Sequence, residues 1–164
     1  MKTLIIVRHA KSGWDDASLP DFERPLSDRG KSDAPMMAQR LKDRSIGIDA
    51  FISSPAKRAK KTAEAFMKVY GKEKSELQLI PSLYEARLKD FYNAVENIDD
   101  QYKSAALFSH NPGITDFVNS FECSPYYNMP TSGVFAVKIK TDKWEEIQVA
   151  EKKFLFFDYP KNTE

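Results

Sequence analysis

Short apolar runs that alternate with longer stretches of helical periodicity are the feature that most constrains how this chain can fold. Each run is bounded by polar or turn-forming residues, which is typical of short buried β-strands. The predicted strands cover residues 4–7, 49–53, 77–80, 105–109, 133–139 and 144–150. Helical periodicity follows Ser27 and is also found over 56–70, near 87–98 and from residue 112 onward. This alternation predicts a three-layer α/β/α domain, with a mostly parallel central sheet and one or two antiparallel strands near an edge.

The length and charge of the chain are those of one ordinary globular domain. A chain of 164 residues suits a single domain, which we assign to residues 1–158, and residues 159–164 are expected to form a short frayed tail. The net charge of +1 gives no reason to expect attraction to nucleic acid or to a membrane. Cys123 is the only cysteine, which excludes an internal disulfide and fits a reducing compartment. We expect a cytoplasmic monomer.

Capping residues mark the start of three predicted helices. Ser27 precedes the first helical stripe and is a predicted N-cap. Ser54 followed by Pro55 predicts a second N-cap, with proline at the first helical position. Asn111 also precedes a proline and is predicted to cap a third helix. Two of these helix starts therefore come directly after predicted strands.

Polar side chains follow three of the predicted strands, at the ends where sites form in open α/β sheets. The clusters are Arg8-His9 after the first strand, Ser53-Ser54 with Arg58 after the second, and His110-Asn111 after the fourth. His9 and His110 are the only histidines of the chain. Both are therefore expected at one rim of the sheet.

Two arginines and two histidines at one rim favour phosphoryl chemistry. Arginine presents a planar fork of donors that matches phosphate oxygens, and an imidazole can attack phosphorus and carry the phosphoryl group. Helix N-termini at the same rim add partial positive charge. The sequence contains no G-x-x-x-x-G-K-[ST], G-x-G-x-x-G or G-x-S-x-G motif, which disfavours the nucleotide-binding and serine-hydrolase classes that these motifs mark.

Several segments, in order along the chain, resemble those of one protein family. "LIIVRHAKS" resembles an Arg-His-Gly/Ala signature, "RPLSDRG" an L-[ST]-x-x-G segment, and "SSPAKRAKKTAE" an S-P-x-x-R-A-x-x-T segment. "FSHNPGI" resembles the segment of a second histidine, and "PTSGVFAV" the strand that closes the fold. On these segments the chain resembles the histidine phosphatase superfamily, which has the phosphoglycerate-mutase-like fold. The small size and the S-H-N-P form look most like the SixA-type phosphohistidine phosphatases.

The resemblance implies a role for each matching residue. His9 would be the nucleophile that takes the phosphoryl group, and water would then hydrolyse phospho-His9. Arg8 and Arg58 would hold the phosphoryl oxygens, and His110 would complete the pocket. The resemblance implies neither a metal nor an organic cofactor.

For the other candidate residues, the sequence is consistent with either a role in the site or a structural role. "LYEA" has the spacing at which larger family members carry a general acid, so Glu85 is either that acid or an exposed loop carboxylate. Ser12 either helps to bind the phosphate or makes a loop turn. The remaining candidates could line the pocket or serve turns and packing, and they are Trp14, Tyr84, Thr131 and Ser132.

Three functions are consistent with these residues. The first is a phosphatase that acts through phospho-His9 on a phosphohistidine-bearing signalling or phosphotransfer protein. The second is a phosphomonoesterase for a small metabolite. The third is a binding module that uses the basic stretch from Lys57 to Lys74 on nucleic acid or an acidic partner. Glu64 and Glu73 dilute the charge of this stretch and no aromatic stacking platform is interleaved with its lysines, so nucleic acid is not the expected partner.

Overall fold

The computed structural model of the protein describes residues 1–163, which form one six-stranded sheet covered by helices on both faces. The strands are β1 (Lys2–Arg8), β2 (Ala50–Ser53), β3 (Leu77–Leu79), β4 (Ser104–Ser109), β5 (Val134–Ile139) and β6 (Lys152–Asp158). The helices are α1 (Asp28–Asp43), α2 (Lys57–Val69), α3 (Leu88–Glu96) and α4 (Gly113–Ser120). The strand order in the sheet is β3-β2-β4-β1-β5-β6.

The sheet is parallel on one side and antiparallel on the other. β3, β2, β4 and β1 run parallel, whereas β5 pairs antiparallel with both β1 and β6. In the central pair Ile6 lies opposite Leu107, and Arg8 lies opposite Ser109. The predicted mostly parallel sheet with antiparallel strands at one edge is therefore confirmed.

Alternate residues of the inner strands face two separate hydrophobic layers, because successive side chains of a strand point to opposite faces. One layer joins the sheet to α3 and α4 through Leu4, Ile6, Leu107, Phe91 and Phe117. The other joins it to α1 and α2 through Ile5, Phe51, Phe108, Met37 and Phe66. The three-layer α/β/α sandwich predicted from the sequence is confirmed.

The last predicted strand, residues 144–150, is wrong. Trp144–Glu146 forms a short 3-10 helix, and the final strand is instead β6. The indole N–H of Trp144 donates to the carbonyl of Tyr102, and Trp144 and Ile147 are both buried although they are three residues apart, which is the spacing of a turn and not of a strand. The pairing of β5 with β6 has a register irregularity, because Ala136 of β5 pairs with Phe156 and Val137 pairs with Phe154. This irregularity breaks the alternation of inward and outward side chains along β6, so its sequence lacks an alternating pattern.

The segment after β6, which was predicted to fray, is hydrogen-bonded to α1. The Arg40 guanidinium donates to the carbonyls of Tyr159 at 3.1 Å and Asn162 at 3.0 Å. Asn162 also donates to the Asp158 carboxylate. Glu164, the last residue of the predicted tail, lies outside the described residues. Over residues 1–163, none of the helices is long and apolar enough to cross a membrane.

Candidate active site

The register of β1 and β4 brings the two histidines together. Arg8 ends β1 opposite Ser109 at the end of β4, and the next residues are His9 and His110. The His9 N–H donates to the Ser109 carbonyl at 3.1 Å. The centroids of the two imidazole rings are 5.1 Å apart. Because parallel neighbours end at the same rim, the sheet alone determines this juxtaposition.

The imidazole of His9 is oriented for attack through Nε2. Its Nδ1 lies 2.8 Å from the Ala10 carbonyl, which can only accept, so Nδ1 carries the proton and the lone pair is on Nε2. Burial, together with the positive charge of Arg58, lowers the pKa of His9 to about 3. His9 as a whole residue is 6% exposed, and it lines a cavity. At neutral pH the ring is therefore uncharged, with its proton on Nδ1 and a lone pair on Nε2.

The backbone after His9 is held by α2. The Ala10 N–H donates to the hydroxyl of Thr62 at 2.9 Å, and that hydroxyl donates to the Arg58 carbonyl at 2.7 Å. On the other side, the Ser132 N–H donates to the carbonyls of both Arg8 and His9. The backbone around His9 is therefore held by α2 on one side and by Ser132 on the other.

His110 lies beside His9 and is paired with Ser54. Its Nε2 shares a 2.8 Å hydrogen bond with the Ser54 hydroxyl, which also accepts the Ala56 N–H at 3.2 Å. Burial and the neighbouring His9 lower the pKa of His110 to about 3. The buried Nδ1 of His110 has no hydrogen-bond partner among the described residues.

Three arginines surround the histidines. Nη1 of Arg8 donates to the Met129 carbonyl at 2.9 Å, and Nη1 of Arg58 donates to the Asp21 carbonyl at 2.8 Å. Arg24 donates to the hydroxyl of Ser12 and stacks on the Trp14 ring, with 3.1 Å between its guanidinium carbon and the ring centroid. Arg24 and Arg58 are both buried.

Asp21 connects this group to the loop before α1. Its carboxylate accepts from Arg58 at 3.0 Å, from Arg24 at 3.2 Å and from the Tyr84 hydroxyl at 2.7 Å. The Tyr84 hydrogen bond is the largest cause that lowers the pKa of Asp21 to about 2, and the two arginines add to it. Asp21 is therefore an ionised anchor that sets the position of two guanidinium groups.

The cavity is rich in donors that lack acceptors. It has a volume of about 310 Å³, and its lining includes Arg8, His9, Ser12, Arg24, Arg58 and His110. Nε of each of the three arginines is buried and unpaired within residues 1–163. Unpaired buried donors are costly, because each has given up a hydrogen bond to water. The chemistry of this donor set therefore fits an anion with several oxygens.

The structure brings together most of the residues predicted for the site. Arg8, His9, Arg58 and His110 line one cavity, and Ser12 lies among them as the acceptor for Arg24. Glu85 does not belong to that lining; it is exposed, with a backbone φ of 53°, and its role as the acid stays a prediction. Of the further candidates, Trp14 and Thr131 line the cavity.

The other further candidates lie elsewhere. Ser132 is buried without lining the cavity, and Tyr84 contacts the cavity groups through Asp21 and by an edge contact with His110.

Two predicted helix caps are wrong. α2 begins at Lys57, not after Pro55, because the backbone of Ala56 is still non-helical, with ψ 139°; the Ser54 hydroxyl contacts His110 and accepts the Ala56 N–H. α4 begins at Gly113, and its first backbone bond, from the Ile114 N–H, goes to the His110 carbonyl. The Asn111 side chain instead donates to the Met129 carbonyl and lines the cavity. The Ser27 cap is confirmed by its 3.1 Å acceptance of the Gly30 N–H.

Sequence reasoning missed Asp21, Arg24 and the role of Ser54. Arg24 directly precedes the Pro-Leu-Ser segment that leads into α1, and this adjacency to a recognised segment is the signal that could have identified it. Asp21 lies in a short 3-10 helix inside an aperiodic loop, where spacing carries no information about contacts. Among residues 1–163, no group of three or more His, Cys, Asp or Glu side chains is arranged to hold a metal ion.

Comparison with known proteins identifies the family of this chain. A sequence profile of the histidine phosphatase superfamily, branch 1, matches residues 4–121. An uncharacterised chloroplastic protein of Arabidopsis thaliana is 34% identical over 120 residues, which is 68% of this chain and 55% of that protein. A phosphoglycerate mutase of Bartonella henselae is 31% identical over 54% of this chain and 44% of its own length. The chain thus spans about half the length of the curated relatives it matches.

Solved structures show the same fold at low identity. The protein histidine phosphatase SixA in complex with tungstate superposes with a TM-score of 0.83, at 22% identity over 99% of both chains. A mycobacterial glucosyl-3-phosphoglycerate phosphatase has a TM-score of 0.69, at 13% identity over 97% of this chain and 98% of its own. The likeness extends over the whole sheet and its helices. On the strength of the matched profile, the chain belongs to the histidine phosphatase superfamily.

Proposed function

We propose that the protein is a phosphatase that works through a covalent phosphoryl intermediate on His9 and acts on protein phosphohistidine. The observation that carries this proposal is the unprotonated Nε2 of His9 beside three arginines whose buried Nε donors lack acceptors within residues 1–163. A phosphoryl group supplies both an electrophile for the nitrogen and oxygens for the donors. These two needs are met by one ligand.

The reaction exchanges one bond to phosphorus for another. His9 Nε2 forms a P–N bond while the bond between phosphorus and the leaving group breaks, and the leaving group takes up a proton. Arg8 and Arg58 stabilise the charge on the transferring phosphoryl oxygens. Water then attacks phospho-His9, which releases inorganic phosphate and returns the imidazole to its neutral form.

The nature of the cavity supports a phosphohistidine substrate. Its lining consists of cations and neutral groups, and Glu85 lies outside it. A phosphorylated imidazole is a better leaving group than an alkoxide and needs less help from an acid. The fold shared with the protein histidine phosphatase SixA supports the same substrate class.

A small phosphate ester is the second candidate substrate. It is favoured by the enclosed size of the cavity, about 310 Å³, and by a glucosyl-3-phosphoglycerate phosphatase with the same fold. In that case the group that protonates the leaving alkoxide would be Glu85 or a residue that approaches on substrate binding. The two candidates share the His9 chemistry and differ only in the leaving group.

A direct comparison of substrates tests the proposal. We expect kcat/KM for a phosphohistidine-bearing phosphotransfer protein to exceed that for each member of a panel of phosphate monoesters by about a hundredfold or more, equivalent to about 3 kcal/mol. Preference for one of the esters would contradict the phosphohistidine assignment. His9→Ala is expected to abolish turnover of both substrate types while the circular dichroism spectrum is unchanged. Near-normal turnover by that variant would contradict the nucleophile assignment.

A further inference from the structure

Next to the active site lies a groove that the phosphatase chemistry does not use. Its floor consists of Pro25, Leu26, Ala34 and Ala65, and its rim carries Lys31, Lys57 and Lys61. We call this surface the lysine groove; its volume is about 350 Å³. A second depression of about 290 Å³ shares Lys57 and Lys61 and adds Lys60 and Phe22. The two depressions form one continuous surface.

The lysines of the groove are largely without carboxylate partners. Lys61 pairs with Glu64 at 3.3 Å, whereas Lys31, Lys57 and Lys60 make no ion pair within residues 1–163. Glu23 is the one carboxylate that lines the second depression. Because the whole chain has a net charge of only +1, this concentration of cations is a local property.

The groove is structurally continuous with the catalytic residues. Lys57 directly precedes Arg58 in the first turn of α2, and Pro25 directly follows Arg24. Leu26 and Ala34 of the floor belong to one small hydrophobic cluster with Ala10, the neighbour of His9. A ligand in the groove therefore lies one residue away, along the chain, from Arg24 and Arg58, and the floor of the groove packs with the residue that follows His9.

We infer that the lysine groove binds an acidic segment of the phosphoprotein substrate, with an apolar side chain of that segment on the alanine floor. The inference rests on the proposed phosphohistidine substrate and adds the means by which a protein is recognised. Carboxylates of the segment meet the unpaired lysines, and the small residues of the floor leave room for a leucine-sized group. The floor of the lysine groove has no aromatic side chain on which a base could stack, and Phe22 of the second depression already packs against Tyr84, which favours a protein segment over nucleic acid.

Charge reversal on the rim tests the inference. In the double variant Lys57→Glu, Lys61→Glu, we expect KM for an acidic phosphohistidine protein to rise about tenfold, with kcat unchanged. For p-nitrophenyl phosphate, kcat/KM should stay within about twofold, because rim charges act on the encounter and not on the reacting atoms. Lys68→Glu, on the same helix but outside both depressions, is the matched control and should leave both substrates unaffected. An unchanged KM for the protein, or an equal loss with the ester, would overturn the inference.

A binding measurement separates this inference from the proposed function. A fluorescein-labelled peptide of alternating Glu and Leu is titrated with the wild-type protein, and its anisotropy is recorded. We expect binding that weakens about tenfold in the double variant and also in Ala65→Phe, which fills the floor without altering charge. If the peptide binds in this way but phosphohistidine is not hydrolysed, the result supports the groove as a binding site for acidic segments and contradicts the proposed substrate. If the peptide does not bind, or if a single-stranded oligonucleotide binds more tightly than the peptide, the groove assignment fails whatever the substrate.

Discussion

The guanidinium of Arg58 shows how one side chain serves both structure and chemistry. It is 7% exposed, donates to the carbonyl and the carboxylate of Asp21, and still has an unpaired Nε. Two of its donors are used to hold the fork in place before any substrate arrives. Preorganised donors of this kind stabilise a transition state without the cost of reorienting.

Replacement of Arg58 should therefore lower kcat more than it weakens the binding of small ligands. We expect Arg58→Ala to reduce kcat for p-nitrophenyl phosphate by about a hundredfold or more, about 3 kcal/mol, because a donor that acts on the transition state is lost. Arg58→Lys keeps the charge but cannot reproduce the fork, so it should recover only part of this loss. Lys68→Ala serves as a control on the same helix. Wild-type rate constants for Arg58→Ala would remove this residue from the site.

At the scale of elements, the N-terminus of α1 is pressed against the segment that follows His9. A Cβ added to Gly30 would lie 2.1 Å from the Lys11 carbonyl oxygen. The Ser27 N–H also donates to that carbonyl, at 2.9 Å. The helix and the active-site loop are thus in direct backbone contact, which explains why glycine occurs in the third position of the helix.

Gly30→Ala should disturb both stability and the site. Since the clash is with backbone, the helix must move, and we expect a loss of about 1–3 kcal/mol in the free energy of unfolding together with lower phosphatase activity. Gly47→Ala is the matched control, because a Cβ there meets nothing within 4 Å. Urea titrations of both variants give the comparison. If Gly30→Ala and Gly47→Ala had the same free energy of unfolding, α1 could shift away from the Lys11 carbonyl without loss of stability, which would contradict the prediction.

The strands that carry the site residues could be predicted from the sequence, whereas the loops could not. β1, β2 and β4 are short, apolar and bounded by polar residues, and their parallel pairing brings Arg8, His9 and His110 to one rim without any knowledge of loops. Asp21 and Arg24 could not be placed, because the path of the chain between β1 and α1 has no periodicity. Ile147 and Val149 misled the strand assignment, since their spacing is that of a strand, although Ile147 is buried after a short 3-10 helix and Val149 is exposed.

For the molecule as a whole, two buried histidines make the fold sensitive to acid. His9 and His110 both have a pKa of about 3 in the folded protein, against an ordinary value of 6.5. Between these values the unfolded chain binds protons that the folded protein does not. Stability therefore falls as the pH is lowered from 6.5 toward 3. Asp21, with a pKa of about 2, adds to this loss below about pH 4, because its ionised form is favoured in the fold.

Denaturant titrations across this range should reveal the effect. We expect the free energy of unfolding to fall by roughly 1 kcal/mol per pH unit for each histidine between about pH 6 and pH 4. The double variant His9→Gln, His110→Gln should have a flatter slope, since glutamine binds no proton. Inorganic phosphate, the product of the proposed reaction, should occupy the cavity and stabilise the wild-type protein at neutral pH. A slope that is the same in the wild type and the double variant would contradict the lowered pKa values.

Main-chain carbonyls contact three of the side chains that line the cavity, and this has a consequence for evolution. Ala10 orients His9, Met129 holds Arg8, and Asp21 holds Arg58, each through its backbone oxygen. The side chain at position 129 can therefore change among relatives, within the limits of its buried position, while the carbonyl keeps its task. A deletion that shifts the backbone near that position would displace Arg8 at once. For the position of Arg8, the length of the segment around Met129 should thus matter more than the identity of the residue at position 129.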